Sequence, residues 1–387
     1  LKFHYWSKRM TQGAALLSVL SLSSVAPLTA TAAGSSAKDQ PKIVQLTQPK
    51  SPVALDNQGN VWSLALHAIS VKDDFFPNLM VKAPSITNVK SISQSERGMV
   101  LALKNDGTVW TVERTAENEQ SDHKEHVSAK LGEQIPHLEN IVKVETYGLL
   151  GLALDQDGKV WIFECGPSYV KSLPLKTEPV LIEGVDHIKD IIFSYDYNEV
   201  AFLKEDGTVW NIEEYSPRGS STPLYDTIRY TKPVQLENLK DIVQLKNNHY
   251  AIKKDGTVWN WGRTTNFSKD NLNVSMTPVA PYQLDELSDV VDVSSNFDHA
   301  LFVKKDGTVW AKGYFAEKWD ASETVPQNVW KDLFRIEGID EAASVTISNY
   351  FSRSTESIIK KDGTVWMWGL DKFFHISVKP QQVEFRN

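Results

Sequence analysis

The chain has 387 residues, 41 Lys and Arg against 49 Asp and Glu, and a formal net charge of −8. A composition that is 41% hydrophobic and 23% charged is that of a folded protein and excludes a disordered or collagen-like chain. The acidic balance argues against bulk nucleic-acid binding, and a single cysteine, Cys165, excludes an intrachain disulfide framework and a thiolate metal cluster.

At the N-terminus, Lys2, Lys8 and Arg9 precede an apolar, small-residue run from Gly13 to Pro27. Ala30-Thr31-Ala32 follows as a small-x-small cleavage site. Basic, apolar and cleavage segments in this order predict a secretory signal peptide over residues 1–33 and a secreted, extracellular protein. The mature chain then carries 38 basic and 49 acidic residues, a net charge of −11. The apolar run is too short and too Ser-rich to span a bilayer. No second long apolar run follows, so no membrane span is expected in the mature chain. Residues 34–42 (GSSAKDQPK) read as a flexible lead-in.

From residue 43 one hairpin is repeated. Asp-Gly-Thr-Val-Trp stands at 106–110, 206–210, 255–259, 306–310 and 362–366, with weaker copies at 58–62 and 157–161. The seven glycines are spaced 48, 51, 49, 49, 51 and 56 residues apart. Asp-Gly predicts a tight two-residue hairpin turn. An apolar strand precedes it, as in Leu101-Ala102-Leu103, and Thr-Val-Trp continues it as a second strand. Upstream lie a strand such as Asp241-Ile242-Val243-Gln244-Leu245 and a Pro-led strand such as Pro233-Val234-Gln235-Leu236. Four strands in about fifty residues are the content of one propeller blade. The predicted fold is therefore all-β, a seven-bladed β-propeller over 43–387. The first repeat lacks the Pro-led strand, and Lys379–Phe385 is expected to supply it, so that the C-terminal strand closes the first blade. Seven tryptophans, Trp62, Trp110, Trp161, Trp210, Trp259, Trp310 and Trp366, share one repeat position and are read as packing between blades.

Asp-Ile-Val-x-Val, a variable loop, then Ala-Leu-Lys-x-Asp-Gly-Thr-Val-Trp-x-Trp-Gly resembles the repeat of the regulator of chromosome condensation family. The fullest matches are 255–262 and 362–369. The resemblance implies a seven-bladed propeller. The family's Asn-x-x-Gly-Gln-Leu-Gly run is absent, and Val112-Glu113, Phe163-Glu164 and Ile212-Glu213 replace Trp-Gly in blades two to four. The family's nucleotide exchange on a small nuclear GTPase is not expected of a secreted acidic protein. In export and ring architecture the chain is similar to the secreted bacterial propeller that inhibits β-lactamases through one face.

Signals for chemistry are sparse. The chain has no Walker loop, Gly-x-Ser-x-Gly elbow or His-Glu-x-x-His helix. His123 and His126 fall in a polar insertion, 113–134, read as a solvated loop or short helix. Asp155-Gln156-Asp157-Gly158 lacks the downstream acid of a calcium loop, and Cys165 reads as a buried thiol. No catalytic residue, cofactor or metal site is expected. The loop before the Leu-Ala-Leu-type strand is variable, and all seven copies should open on one face. These loops carry Tyr147, Tyr195, Tyr197, His249, Tyr250, Phe297, His299, Tyr350 and Phe351. Such residues suit a partner-binding rim, because they give large contact area at low entropy cost. They equally suit packing inside the channel. The leading expectation is a monomeric, secreted protein-interaction module that binds an extracellular or cell-surface protein. The alternative is binding of cell-wall glycan, and inhibition of a secreted hydrolase is less favoured. A polysaccharide-cleaving enzyme ranks last, since Glu96, Glu145, Asp196 and Asp298 are the only acids at the mouth.

Overall fold

The computed structural model describes residues 40–47, 52–64, 79–95, 98–119, 124–165, 177–194, 199–213, 224–247, 249–267, 274–296, 299–318, 327–347, 355–370 and 376–386. They form seven sheets, each a meander of four consecutive strands, with one added strand in the first. The first strands are Ile43–Leu46, Val89–Gln94, Ile141–Tyr147, Ile188–Ser194, Ile242–Lys246, Val290–Ser295 and Ala342–Ile347. First strands of successive blades pack on one another from blade two to blade seven, and the first strands so line the central channel.

Alternation along the second strand explains the packing. In blade two, Val100 and Ala102 face blade one, while Leu101 and Leu103 face blade three. The same split recurs around the ring, giving seven apolar clusters, one per interface between neighbouring blades. The interface between blades seven and one joins Ile359, Val365 and Met367 to Ile43, Ala54 and Trp62. Trp62, Trp161, Trp210, Trp259, Trp310 and Trp366 each pack into the interface with the preceding blade.

Closure follows the expectation in part. Glu384–Arg386 does join the first blade, parallel to Leu79–Lys82. The Pro-led strands, however, complete the blade before them: Val234 and Gln235 pair with Asn211 and Trp210 of blade four. Ile376–Gln382 likewise pairs within blade seven. Blade one already has its own fourth strand, Leu79–Lys82, so the C-terminus adds a fifth. The reason is connectivity: an antiparallel hairpin to the adjacent strand is the short connection.

The Asp-Gly turn also differs from expectation. Gly107 N donates to Lys104 O at 3.0 Å and Lys104 N to Thr108 O at 2.9 Å. Only the glycine has positive φ, +81°. This is a three-residue loop, a type I turn closed by a glycine bulge, and all seven copies share it. The described residues of the insertion at 113–134 form neither loop nor helix but part of a hairpin, Val109–Glu119 against Lys124–Gln134, while residues 120–123, His123 among them, lie outside the described residues. Blades five and six extend the same way, with Val258–Phe267 against Val274–Gln283 and Val309–Lys318 against Gln327–Arg335. These third strands are 10–11 residues long against 5 in blade three. The excess carries three arms roughly 17–20 Å beyond the blades at ~3.3 Å per residue.

Candidate functional site: the two faces of the ring

The meander puts the Asp-Gly turns on one face and the variable loops, with the three arms, on the other. The turn face is sewn into a belt. Each turn glycine's carbonyl accepts from the first residue of the next blade's first strand, from Val89 N to Gly59 O at 3.1 Å through to Ile43 N to Gly363 O at 3.1 Å. The residue before that strand returns a bond to its own blade's turn, as in Asn105 N to Asn88 O at 2.9 Å. Asn88, Asn140, His187, Asp241, Asp289 and Glu341 hold this place in the left-handed region.

The repeated turn side chains bond to one another. In five blades the aspartate, Asp306 for example, accepts Thr308 N at 2.9 Å and Thr308 Oγ1 at 2.7 Å. Thr308 Oγ1 in turn accepts Trp310 Nε1 at 3.1 Å, and Lys304 Nζ lies 5.4 Å from that indole's centroid. Blades one and three lack the threonine and the lysine. There Asp56 and Asp155 replace the lysine and take the indole N–H directly, at 3.0 and 3.1 Å. Asp155 Oδ1 also accepts Asp157 N and Lys159 N, so its oxygens serve the turn. Among the described residues no group of three metal-ligating side chains assembles.

On the loop face, Tyr195, Tyr197, Phe297, Tyr350 and Phe351 lie outside the described residues. Tyr147 is half-buried, its ring centroid 5.7 Å from Phe193 of the next blade. Tyr250 is half-buried edge-on to Phe302, also at 5.7 Å. The two histidines are placed inside rather than on the rim. His249 is 1% exposed, with Nε2 2.5 Å from Glu199 Oε2 of blade four and Nδ1 3.3 Å from Ser194 Oγ. Glu199 Oε1 accepts Asn211 Nδ2 at 2.7 Å and Trp261 Nε1 at 3.3 Å. Gly262 makes room for the imidazole: a Cβ there would lie 2.7 Å from His249 Cγ. Burial pushes the Glu199 carboxyl up, but the His249 imidazole and these hydrogen bonds outweigh it and hold it below the usual range. His299, 8% exposed, makes a similar link from blade six to Glu356 of blade seven at 3.2 Å. All four residues sit where the variable loop enters the second strand. The Ser-His-Glu arrangement at Ser194 is no more than 2% exposed at each member.

Below these links, the channel wall carries paired charges. Lys143 lies 2.5 Å from Asp190 and 3.2 Å from Glu145, and Lys246 lies 2.5 Å from Asp292. Burial raises the Glu145 carboxyl. Asp190 and Asp292 also accept Leu245 N and Val345 N of the following blade. Gln45 makes the same tie with both atoms of its amide, to Ile92 N and O. The sequence reading missed this third-position tie, although Gln45, Asp190 and Asp292 all stand third in their strands.

No protein-family model and no curated protein matches the chain. Solved structures do. Prp20p from Saccharomyces cerevisiae, characterised with its binding to Gsp1p and histones, is 20% identical at a TM-score of 0.54, over 83% of this chain and 84% of that one. Yeast RCC1 (Prp20), in complex with Kap60, is 14% identical at 0.56, over 93% and 91%. Human WBSCR16 is 15% identical at 0.50, over 79% and 85%. The chain therefore has the seven-bladed fold of the regulator of chromosome condensation, built from repeats that resemble that family's.

Proposed function

We propose that this chain is an exported protein-interaction module that engages an extracellular or cell-surface protein through its loop face. The division between the two faces carries the reading. The turn face spends its backbone and repeated side chains on holding blades together, whereas the opposite face differs from blade to blade in loop content and bears three projecting arms. A rigid ring beneath variable loops is the arrangement that supports recognition. Proteins of this fold engage protein partners, as in the Kap60 complex of yeast RCC1. His249 and His299 act in this reading as struts at the loop roots, while Tyr147, Tyr195, Tyr197, Tyr250, Phe297, Tyr350 and Phe351 supply contact surface.

The test is an affinity capture from the producing organism's culture medium and cell-wall fraction with the mature protein as bait. Discrete proteins retained by the wild type and lost on combined Tyr195→Ala, Tyr197→Ala and Tyr350→Ala substitution support the reading. Retention of wall polymer without protein replaces it with glycan binding. Proteins retained equally by the triple variant move the contact off this face.

A further inference from the structure

The channel has a second distinctive zone, at its turn-face mouth. In each blade the ladder between first and second strands skips the second residue of the first strand. Ile43 pairs with Asp56 and Gln45 with Leu55, leaving Val44 bulged, and the same break recurs in the other six blades. The neighbouring blades cover both faces of this strand, so the bulged side chain turns into the channel. Val44, Val142, Val243 and Val291 stand there, exposed by 50, 39, 47 and 43%. They are half of the large hydrophobic side chains exposed among the described residues. Ala343 holds a fifth position, Lys90 and Lys189 the other two, and no acid occurs at any of them.

The surrounding charges sharpen this pattern. Asp241 and Lys254, Asp289 and Lys305, and Glu341 and Lys361 lie on backbone segments bonded to each other, so each of these acids has a lysine on the segment beside it. His187 faces Glu205 at 3.9 Å. Glu145, which shares Lys143 with Asp190, lies three residues further up its strand than Val142. Lys90 stands beside amides, Asn88 and Asn105, while Lys189 donates to the Ile242 carbonyl at 3.3 Å and lies within reach of the Asp206 carboxylate of its own blade. An acidic protein thus places an aliphatic ring with a positive sector at one end of its channel. Apart from the lysines, that ring's side chains offer no hydrogen-bonding group, so a sugar or peptide seated on it would leave polar atoms unpaired.

We propose that the turn-face mouth of the channel binds an unbranched aliphatic carboxylate, its chain against the valines and its head toward Lys90 and Lys189. The site is separate from the loop face and independent of the partner there. Calorimetric titration of the purified protein with dodecanoate, below its micelle concentration, is the test. One saturable site per chain is expected. Val142→Asp with Val243→Asp weakens it by ~tenfold or more, since two apolar contacts are lost and like charge is introduced. Both positions are exposed and bulged, so the fold is retained, which circular dichroism checks. Lys90→Ala with Lys189→Ala weakens dodecanoate and leaves dodecanol unchanged. The proposal is overturned by no saturable binding to the wild type, by binding indifferent to the valine variants, or by dodecyltrimethylammonium binding as tightly as dodecanoate. A valine-terminated peptide that displaces dodecanoate at lower concentration also overturns it, by assigning the mouth to a protein tail.

Discussion

The turn glycines do two jobs, and a pair of alanine substitutions separates them. Gly307 has φ +86°, and a Cβ there would lie 2.8 Å from Glu341 Cα and 3.0 Å from Glu341 N, both backbone atoms of the next blade. Gly338 has φ +79° but nothing within 4 Å of its Cβ position. Both lie on the side of the interface between blades six and seven. Gly338→Ala therefore reports the backbone conformation alone, about 1–2 kcal/mol for a non-glycine residue held in the left-handed region. Gly307→Ala adds to this a displacement of the next blade's first strand. The bond from Ala342 N to Gly307 O, 3.0 Å, lengthens, at about 0.5–1.5 kcal/mol. Packing around Ala342 and Ile339, both at most 2% exposed, loosens as well. The two quantified contributions sum to about 1.5–3.5 kcal/mol, with the packing loss added to them, against about 1–2 for the control. Urea denaturation followed by tryptophan fluorescence measures both. Equal destabilisation of the two variants would refute the argument, because it would mean the close approach contributes nothing beyond the dihedral.

Five further outcomes follow from the same interfaces. Glu199→Ala leaves His249, Asn211 and Trp261 without their shared acceptor inside the interface of blades four and five, and should cost about 3–5 kcal/mol in the same assay. Because the Glu199 carboxyl titrates lower in the folded state than unfolded, its stabilisation is full above the ordinary carboxyl range and is lost as pH falls through the depressed folded value; Glu199→Gln should flatten that acid limb of a stability profile. Thr308→Ala removes the acceptor of Trp310 Nε1 and should cost about 1 kcal/mol, more than Thr257→Ala, since Trp259 Nε1 is already without a partner. Phe385→Ala empties the edge-on contact with Trp62 at 5.4 Å and should cost about 3 kcal/mol, detaching the strand that closes the ring. Cys165, 2% exposed and with burial pushing its thiol up to about 12, should react with a disulfide reagent only as fast as the chain unfolds.

The fold was legible because every blade must solve one problem with one set of residues. Asp-Gly-Thr-Val-Trp, in five full copies and two weaker ones, shows through at six near-equal spacings since the turn glycine and the next blade's backbone meet in the same geometry each time. What the motif conceals is that the glycine answers to the neighbouring blade as much as to its own turn, and this is why the weaker copies keep Gly59 and Gly158 while losing threonine. A second repeated signal was available and unread. Two apolar residues three apart, Ala83 and Ile86, Ile135 and Leu138, Leu284 and Leu287 among them, precede the first strands of blades two to seven by three residues and plug the interface. Blade boundaries were misread for a physical reason, since sequence period is unchanged whichever blade the Pro-led strand joins; only its hairpin partner, Trp210 for Gln235, decides.

The loop face resisted reading because aromatic and imidazole side chains serve cores and surfaces alike. His249 and His299 show which features discriminate. Each meets a buried glutamate within one residue of the matching place of an adjacent blade, Glu199 in the blade before His249 and Glu356 in the blade after His299, and each has a glycine beside its ring or across its strand, Gly262 or Gly313. A histidine and a glutamate one repeat apart, with a small residue on the strand beside the ring, is a pattern that period-aware reading can detect, and it marks an internal strut. The Trp-Gly pair of blade five then has a local cause: Trp261 donates to Glu199 and stacks edge-on to His249 at 5.4 Å, while Gly262 clears the ring. The variable residues of these repeats are therefore of two kinds, those that answer to a neighbouring blade and those that answer to nothing within the ring. Only the second kind is free to be selected by a partner.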